Sequence, residues 1–454
     1  MRKLPRRIVV AQTLAFLAAL AIVLPSEFDR WQAARAAETP WSSWFFGINI
    51  DTTLPLLLMI VWPYFWFVRR PFWSPSGRWW ETLKAWWTDR PAADSSTRER
   101  SLCRGTLAVV VLIAATSLGA SARVAAHSVG DREQYRFGNL PPAYHDEFSY
   151  LFQAQTYLAG RLSFPSHPTA ARLFDQMHVV NEGRFAGRYF PATGLFVAPW
   201  LWLGWPILGH WLAGAATAVL VFGIGRELSN NGTGFVAGLL TALSPGMGLF
   251  GNLVLAHHPT LLGLFFFAWS FLRWMRLRRL RDVAFAGIGL SWAMLCRPMT
   301  AAGFGACFGF AYAANLWGTF FQSVRESWPN SDPRSRHLLR TAAAMSFPFC
   351  VAFGVLAIHN RSITGNYVKT PYQLFTEIYT PRHVYGFNNV VRGEQHLGPR
   401  VLDNYDRWAV NLTPALAIEN SKNRLIASWQ WTVGVVPLLA ASVLFVLTGN
   451  ARDR

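Results

Sequence analysis

Long stretches of uncharged, apolar residues recur along this chain, and they constrain its fold more than any motif does. Crossing the hydrocarbon of a bilayer takes about 20 apolar residues. Candidate spans are read at 8–24, 53–68, 105–126, 208–226, 233–250, 259–275, 283–296, 301–320, 341–358 and 429–448. The seventh and eighth are short and meet tightly at Arg297-Pro298. Only 15% of the 454 residues are charged, where a soluble protein carries roughly a quarter. The 22 Trp residues suit membrane interfaces. The expected fold is an all-α polytopic membrane protein with about ten transmembrane helices.

Charge then orients the spans, because basic residues collect on the cytoplasmic side. Residues 1–7 hold four basic residues and no acid, 69–104 hold eight against four, and 273–281 add five Arg. All three fall on one side if the spans alternate. The opposite segment, 127–192, is balanced, with six basic and six acidic residues. Both termini are therefore expected in the cytoplasm, with 127–207 and 359–428 outside. The outer segment 359–428 carries eight basic and five acidic residues, but long loops follow the rule weakly. The first span reads as a retained anchor rather than a cleaved signal. Its small residues, Ala34 to Ala37, lie far beyond the apolar run.

The formal net charge of +18 does not indicate nucleic acid, since most basic residues sit where topology needs them. The four Cys (103, 296, 307, 350) lie in or beside apolar runs without paired spacing, so neither a disulfide framework nor a zinc site is expected. Three regions follow. Residues 1–104 hold two spans and a basic cytoplasmic linker that meets anionic headgroups. Residues 105–358 form the transmembrane core with the external loop 127–207. Residues 359–454 hold a second external loop and a last span.

Within the first external loop, Pro141-Pro142 precede Phe148, Leu151, Phe152, Gln155, Leu158 and Leu162 at helical spacing, with Gly160 at the stop. This predicts a short helix lying along the membrane surface. His145, Asp146 and Glu147 occupy its first turn, where the helix dipole favours ionised carboxylates. Such residues also serve as ordinary caps; an ionised carboxylate there can instead accept a proton from a hydroxyl. A second short apolar stretch, Leu195 to Trp205, fits an interfacial or re-entrant helix. Between the two lies a polar loop.

The run His145-Asp146-Glu147-Phe148-Ser149-Tyr150-Leu151-Phe152-Gln153-Ala154-Gln155, followed by Ala159-Gly160-Arg161-Leu162, resembles the first external loop of GT-C type membrane glycosyltransferases. The bacterial proteins similar to protein O-mannosyltransferases (family 39) and aminoarabinose transferases are nearest in style. Gly187-Arg188-Tyr189-Phe190-Pro191 resembles the family's Lys-Tyr-Pro-Pro stretch, with Arg188 where Lys is usual and Phe190 in place of the first Pro. Leu243-Ser244-Pro245, His257-His258-Pro259-Thr260 and Cys296-Arg297-Pro298-Met299-Thr300 resemble later family segments. Thr364-Gly365-Asn366 with Pro371-Tyr372 resembles the second external loop. The resemblance covers roughly residues 105–400 and implies a GT-C-like bundle with interfacial helices in its first external loop.

It also implies an activity. A sugar on a polyprenyl phosphate is transferred, with inversion, to an acceptor hydroxyl on a lipid, glycan or protein at the periplasmic face of the inner membrane. By resemblance Asp146 is the base, and Glu147 assists by holding Asp146, a metal or the acceptor. The departing phosphate needs fixed positive charge. The candidates are Arg188 with Tyr189, Arg297, His257, His258 and Lys369. Arg297 stands out because an Arg between apolar runs is costly without a task, although a snorkelling Arg at a span end reads equally well. No obligatory cofactor is expected; a divalent metal on Asp146 and Glu147 is allowed, not required. Tyr367, Tyr372, Tyr379 and Tyr385 offer rings for an acceptor sugar or for interfacial packing. Two rival readings remain: an inactive scaffold that binds lipid-linked sugar, suggested by the early end of the chain, and a small-molecule transporter. The second is disfavoured because the spans are almost free of ionisable groups.

Overall fold

The structure is a computed structural model that describes residues 99–128, 136–326, 333–381 and 412–431, with isolated positions elsewhere. The expected spans 8–24 and 53–68, most of 429–448, most of the linker before residue 99 and the stretch around Tyr385 lie outside the described residues. Two compact units divide the chain. One comprises Met1–Ala85, Leu243–Gly246 and Ala415–Arg454, and most of helix Pro414–Trp431 belongs to it. The other comprises Trp86–Ala242 and Met247–Pro414 and contains the site.

The described chain is mostly helical. Its helices are α1 (Glu99–Ala125), α2 (His145–Leu158), α3 (Pro191–Trp202), α4 (Leu208–Leu228), α5 (Asn231–Leu243), α6 (Pro245–Phe250), α7 (His257–Leu277), α8 (Leu280–Cys296), α9 (Pro298–Glu326), α10 (Pro333–Thr364), α11 (Pro371–Tyr379) and α12 (Pro414–Trp431). Among the described residues three helices are long and apolar enough to cross a membrane: Gly105–Ala125, Leu208–Leu228 and Leu339–Thr364. These match the expected spans at 105–126, 208–226 and 341–358. The span expected at 233–250 is divided instead. Helix α5 stops at Leu243 and α6 starts at Pro245, since proline lacks the N–H that would continue the ladder and disfavours helix in the residue before it.

The helices approach closely where side chains are smallest. A Cβ on Gly263 of α7 would meet the Gly289 carbonyl of α8 at 2.7 Å. One on Gly287 would meet the Met345 carbonyl of α10 at 2.6 Å. Small residues at crossings are how helices pack without a hydrophobic drive between them. Further along the same pair, Phe267, Phe271 and Trp274 bury against Val283 and Ala286. Positions 263 with 289 and 274 with 283 make α7 and α8 an antiparallel hairpin, turned at Arg278 in the left-handed region (φ 55°). The turn end is pinned by ion pairs: Arg276 forks onto Glu227 at 2.6 and 2.9 Å, and Arg273 meets Asp282 at 3.5 Å. The opposite end carries His257 and Arg297. Large apolar side chains on the outer faces, such as Phe310, Leu339 and Phe353, are exposed, as helices in lipid require.

The stretch between α2 and α3, expected as a polar loop, contains a small antiparallel sheet. Strand β2 (Val179–Asn181) pairs with β3 (Arg184–Gly187), and β3 with β1 (Phe164–Pro165), in the order β1-β3-β2. Val179 faces Gly187 and Asn181 faces Phe185 in the register. Gly183 makes the turn at φ 74°, a conformation that costs glycine little. The sheet packs against α11: Met177 and Val180 bury with Phe375, Tyr379 and Leu402. The Tyr379 hydroxyl accepts from the Asn181 backbone N–H at 2.9 Å.

Candidate active site

The first turn of α2 gives its two carboxyl groups different surroundings. Glu147 is 3% exposed. One of its oxygens accepts from the backbone N–H groups of Ala143 (2.9 Å) and Tyr144 (3.1 Å), and the other from Val254 N–H (2.8 Å). These contacts satisfy donors that a helix start leaves open and tie α2 to the segment before α7. Asp146, one residue earlier, lines a cavity of about 660 Å³, within the range of small-molecule sites. The remaining walls come from Tyr150, from Arg188-Tyr189-Phe190, from Cys296 to Thr300, and from one face of α11 including Tyr372, Gln373 and Glu377.

The β2–β3 hairpin brings the neighbours of Asp146 together. His178 immediately precedes β2 and Arg188 immediately follows β3, and the Arg188 N–H donates to the His178 carbonyl at 3.0 Å. Ser149 of α2 donates its hydroxyl to the same carbonyl at 2.8 Å. The buried His178 imidazole places Nε2 3.1 Å from Asp146 Oδ1. Tyr189 stacks on Tyr150 with ring centroids 4.5 Å apart, and its hydroxyl hydrogen-bonds Asp146. Gln153 and His359 both reach the Tyr189 carbonyl, at 3.0 and 3.3 Å.

These contacts set the charge of the site. Burial alone would raise the Asp146 pKa, but hydrogen bonds from His178 and Tyr189 and the nearby Arg188 outweigh it, and the value falls from 3.8 to about 2. Asp146 is an anion at any working pH. Burial, reinforced by Arg188 and opposed by Asp146, holds His178 below its ordinary 6.5, so the neutral ring donates through Nε2–H. Burial, and then the Asp146 charge, push the Tyr189 hydroxyl well above its usual range; it stays protonated.

Two guanidinium groups share the cavity with this anion. Arg188 is buried in an aromatic box, 5.1 Å from the Tyr189 ring, 4.5 Å from Tyr372 and 4.7 Å from Phe375. Cation–π contact stabilises the charge there without neutralising it. Arg297 caps the end of α8, and its Nη1 lies 3.5 Å from His257 Nε2.

Of the residues expected from the sequence, Asp146, Arg188, Tyr189 and Arg297 line one cavity. The other four do not line it. Glu147 binds backbone, His257 braces Arg297, His258 is buried against Gly214, and Lys369 pairs with Glu377 at 2.5 Å. With both Glu147 oxygens accepting from backbone, Asp146 and Glu147 do not form a shared pair of free metal ligands. Among the described residues no group of three or more His, Cys, Asp or Glu is placed to hold a metal ion. Of the second-loop tyrosines, Tyr372 lines the cavity, Tyr379 is core and Tyr367 is exposed. His178 was not expected. A lone His before two valines carries no signal by itself; only the hairpin pairing it with Arg188 reveals its place.

The family of dolichyl-phosphate-mannose-protein mannosyltransferases matches residues 204–329. This stretch contains the whole of α4 to α9, with His257 and Arg297, but neither Asp146 nor Arg188. No curated protein matches the chain significantly. Among solved structures, the apo oligosaccharyltransferase of Archaeoglobus fulgidus aligns over 78% of this chain and 37% of its own, at 16% identity and a TM-score of 0.37. This chain thus spans well under half the length of that protein. In its matched sequence and its membrane-length helices, the chain is similar to the GT-C type of membrane glycosyltransferase.

Proposed function

We propose that this protein transfers a sugar from a polyprenyl-phosphate carrier to an acceptor hydroxyl, with inversion, at the outer face of the inner membrane, and that Asp146 is the base. The observation that carries the reading is one cavity of about 660 Å³ lined by an obligate carboxylate, Asp146, and by two guanidinium groups, Arg188 and Arg297. The acceptor oxygen attacks the anomeric carbon. The bond from that carbon to the phosphate oxygen breaks, and its electron pair leaves with the lipid phosphate. The hydroxyl proton passes to Asp146. A carboxylate with a pKa of about 2 is a weak base, so it takes the proton late, once the bond to carbon has made the hydroxyl acidic. Arg188 and Arg297 compensate the charge that grows on the phosphate, where fixed donors are most effective. Arg suits this task because its planar fork matches phosphate oxygens.

The acceptor is a lipid, glycan or protein hydroxyl, and it enters beside α11, where Tyr372 and Gln373 face the cavity. The Arg-rich turn between α7 and α8 lies at the other end of the hairpin from Arg297, which supports a cytoplasmic turn and an external site. The test is sugar transfer from a polyprenyl-phosphate donor by the purified wild-type protein and Asp146→Asn. Transfer is expected to fall by about 100-fold or more, with normal membrane insertion. Retained transfer excludes Asp146 as the base.

A further inference from the structure

The Asp146 carboxylate is held by a side chain on the neighbouring hairpin, and the backbone under that side chain adopts an uncommon conformation. His178 has φ 61°, in the left-handed region that a few per cent of non-glycine residues occupy. Such a conformation persists only where surrounding contacts demand it, and here two donors do so. The Ser149 hydroxyl and the Arg188 N–H both bind the His178 carbonyl, which turns the imidazole toward Asp146. The ring lies against Tyr189 and Phe375, with centroids 5.8 and 5.9 Å away. Its Nε2 meets Asp146 Oδ1 at 3.1 Å, while its buried Nδ1 has no hydrogen-bond partner among the described residues. An unpartnered Nδ1 is the acceptor nitrogen of a neutral imidazole, so the proton sits on Nε2 and is donated to Asp146.

We infer that His178 is a positioning residue that holds Oδ1 of Asp146 by a neutral Nε2–H donor and so keeps the carboxylate oriented for the acceptor hydroxyl. The inference rests on the reading of Asp146 as the base. It adds a residue outside the motif that carries the resemblance. The other titratable and charged groups around the Asp146–His178 pair and its cavity are Tyr150 and His145 on α2, Arg188 and Tyr189 after β3, His257 at the start of α7, Arg297 after α8 and Glu377 on α11. Of these, Tyr189 is the second hydrogen-bond donor to Asp146, and Arg188 acts through charge.

His178→Asn and His178→Gln separate positioning from packing. Asn tolerates a positive φ, but its amide is too short to reach where Nε2 stands. The Gln amide nitrogen reaches that place and is a donor. With the donor gone, burial dominates and Asp146 titrates higher. The expected result for His178→Asn is a kcat lower by about tenfold or more, little change in KM for the lipid donor, and an acid limb moved up by about 1–2 pH units. His178→Gln restores the low acid limb and much of kcat. The infrared C=O stretch of a protonated carboxyl, absent in Asp146→Asn, should appear at higher pH in His178→Asn than in the wild type. It supplies a readout independent of turnover. An unchanged acid limb and carboxyl titration in His178→Asn overturn the positioning role, as does a parallel loss of kcat at every pH that Gln does not rescue. Active Asp146→Asn would instead remove the base assignment itself, so the two failures are distinguishable. Should His178→Asn not fold, the comparison of His178→Gln with the wild type decides: a Gln variant with the carboxyl titration of the wild type but no recovery of kcat contradicts the proposal.

Discussion

Glu147 and Asp146 are neighbours, yet a single-atom change should affect them differently. In Glu147→Gln an amide nitrogen replaces an oxygen that accepts from backbone N–H groups, so at least one buried donor loses its partner. Leaving a buried donor unsatisfied costs about 1–3 kcal/mol. The expected outcome is a drop of about 2–3 kcal/mol in stability, measured by thermal unfolding in detergent, with transfer by the folded fraction largely kept. Asp146→Asn should show the reverse, a modest stability change with transfer abolished. Loss of transfer by fully folded Glu147→Gln would contradict the division of labour. At this scale the sequence picked out two residues that line the cavity, an acid in a helix's first turn and an Arg stranded between apolar runs. It was silent on Glu147's partner, because Val254 lies 107 residues away, and on His178, whose importance depends on a cross-strand neighbour.

At the scale of elements, helix α2 was readable because Phe148, Leu151, Phe152, Gln155 and Leu158 repeat at the helical period. The β2–β3 hairpin was not. Its strands are three and four residues long, too short for alternation to show, and its main cue was Gly183 after Asn181-Glu182. Proline explains the misread span at 233–250, where apolar character runs through a break in the helix. The α7–α8 hairpin offers a test of how packing positions the site. In Gly263→Val the new Cβ would meet the Gly289 carbonyl at 2.7 Å and the Ala293 nitrogen at 3.0 Å. Overpacking of this kind costs about 1–3 kcal/mol and displaces the end of α8 that carries Arg297. A lower unfolding midpoint and a raised KM for the lipid donor are expected. Gly303→Ala, where nothing lies within 4 Å of the added Cβ, is the control that should change neither. Unaltered stability and KM in Gly263→Val would mean that the crossing does not set the position of Arg297.

For the whole molecule, composition was enough to indicate a helical membrane protein, because a charge content of 15% leaves little material for a solvated surface. Three described helices meet that expectation. What composition could not indicate is how separate segments converge. Asp146 comes from α2, Arg188 from the end of the hairpin, Arg297 from the junction of α8 and α9, and Tyr372 from α11. That convergence places one carboxylate and two guanidinium groups on one cavity, and the proposed roles can be tested directly by determining the structure with a polyprenyl phosphate bound. The account predicts the phosphate oxygens within about 3 Å of the Arg297 and Arg188 guanidinium nitrogens, in the cavity that Asp146 lines. A phosphate bound elsewhere, with this cavity empty, would contradict it.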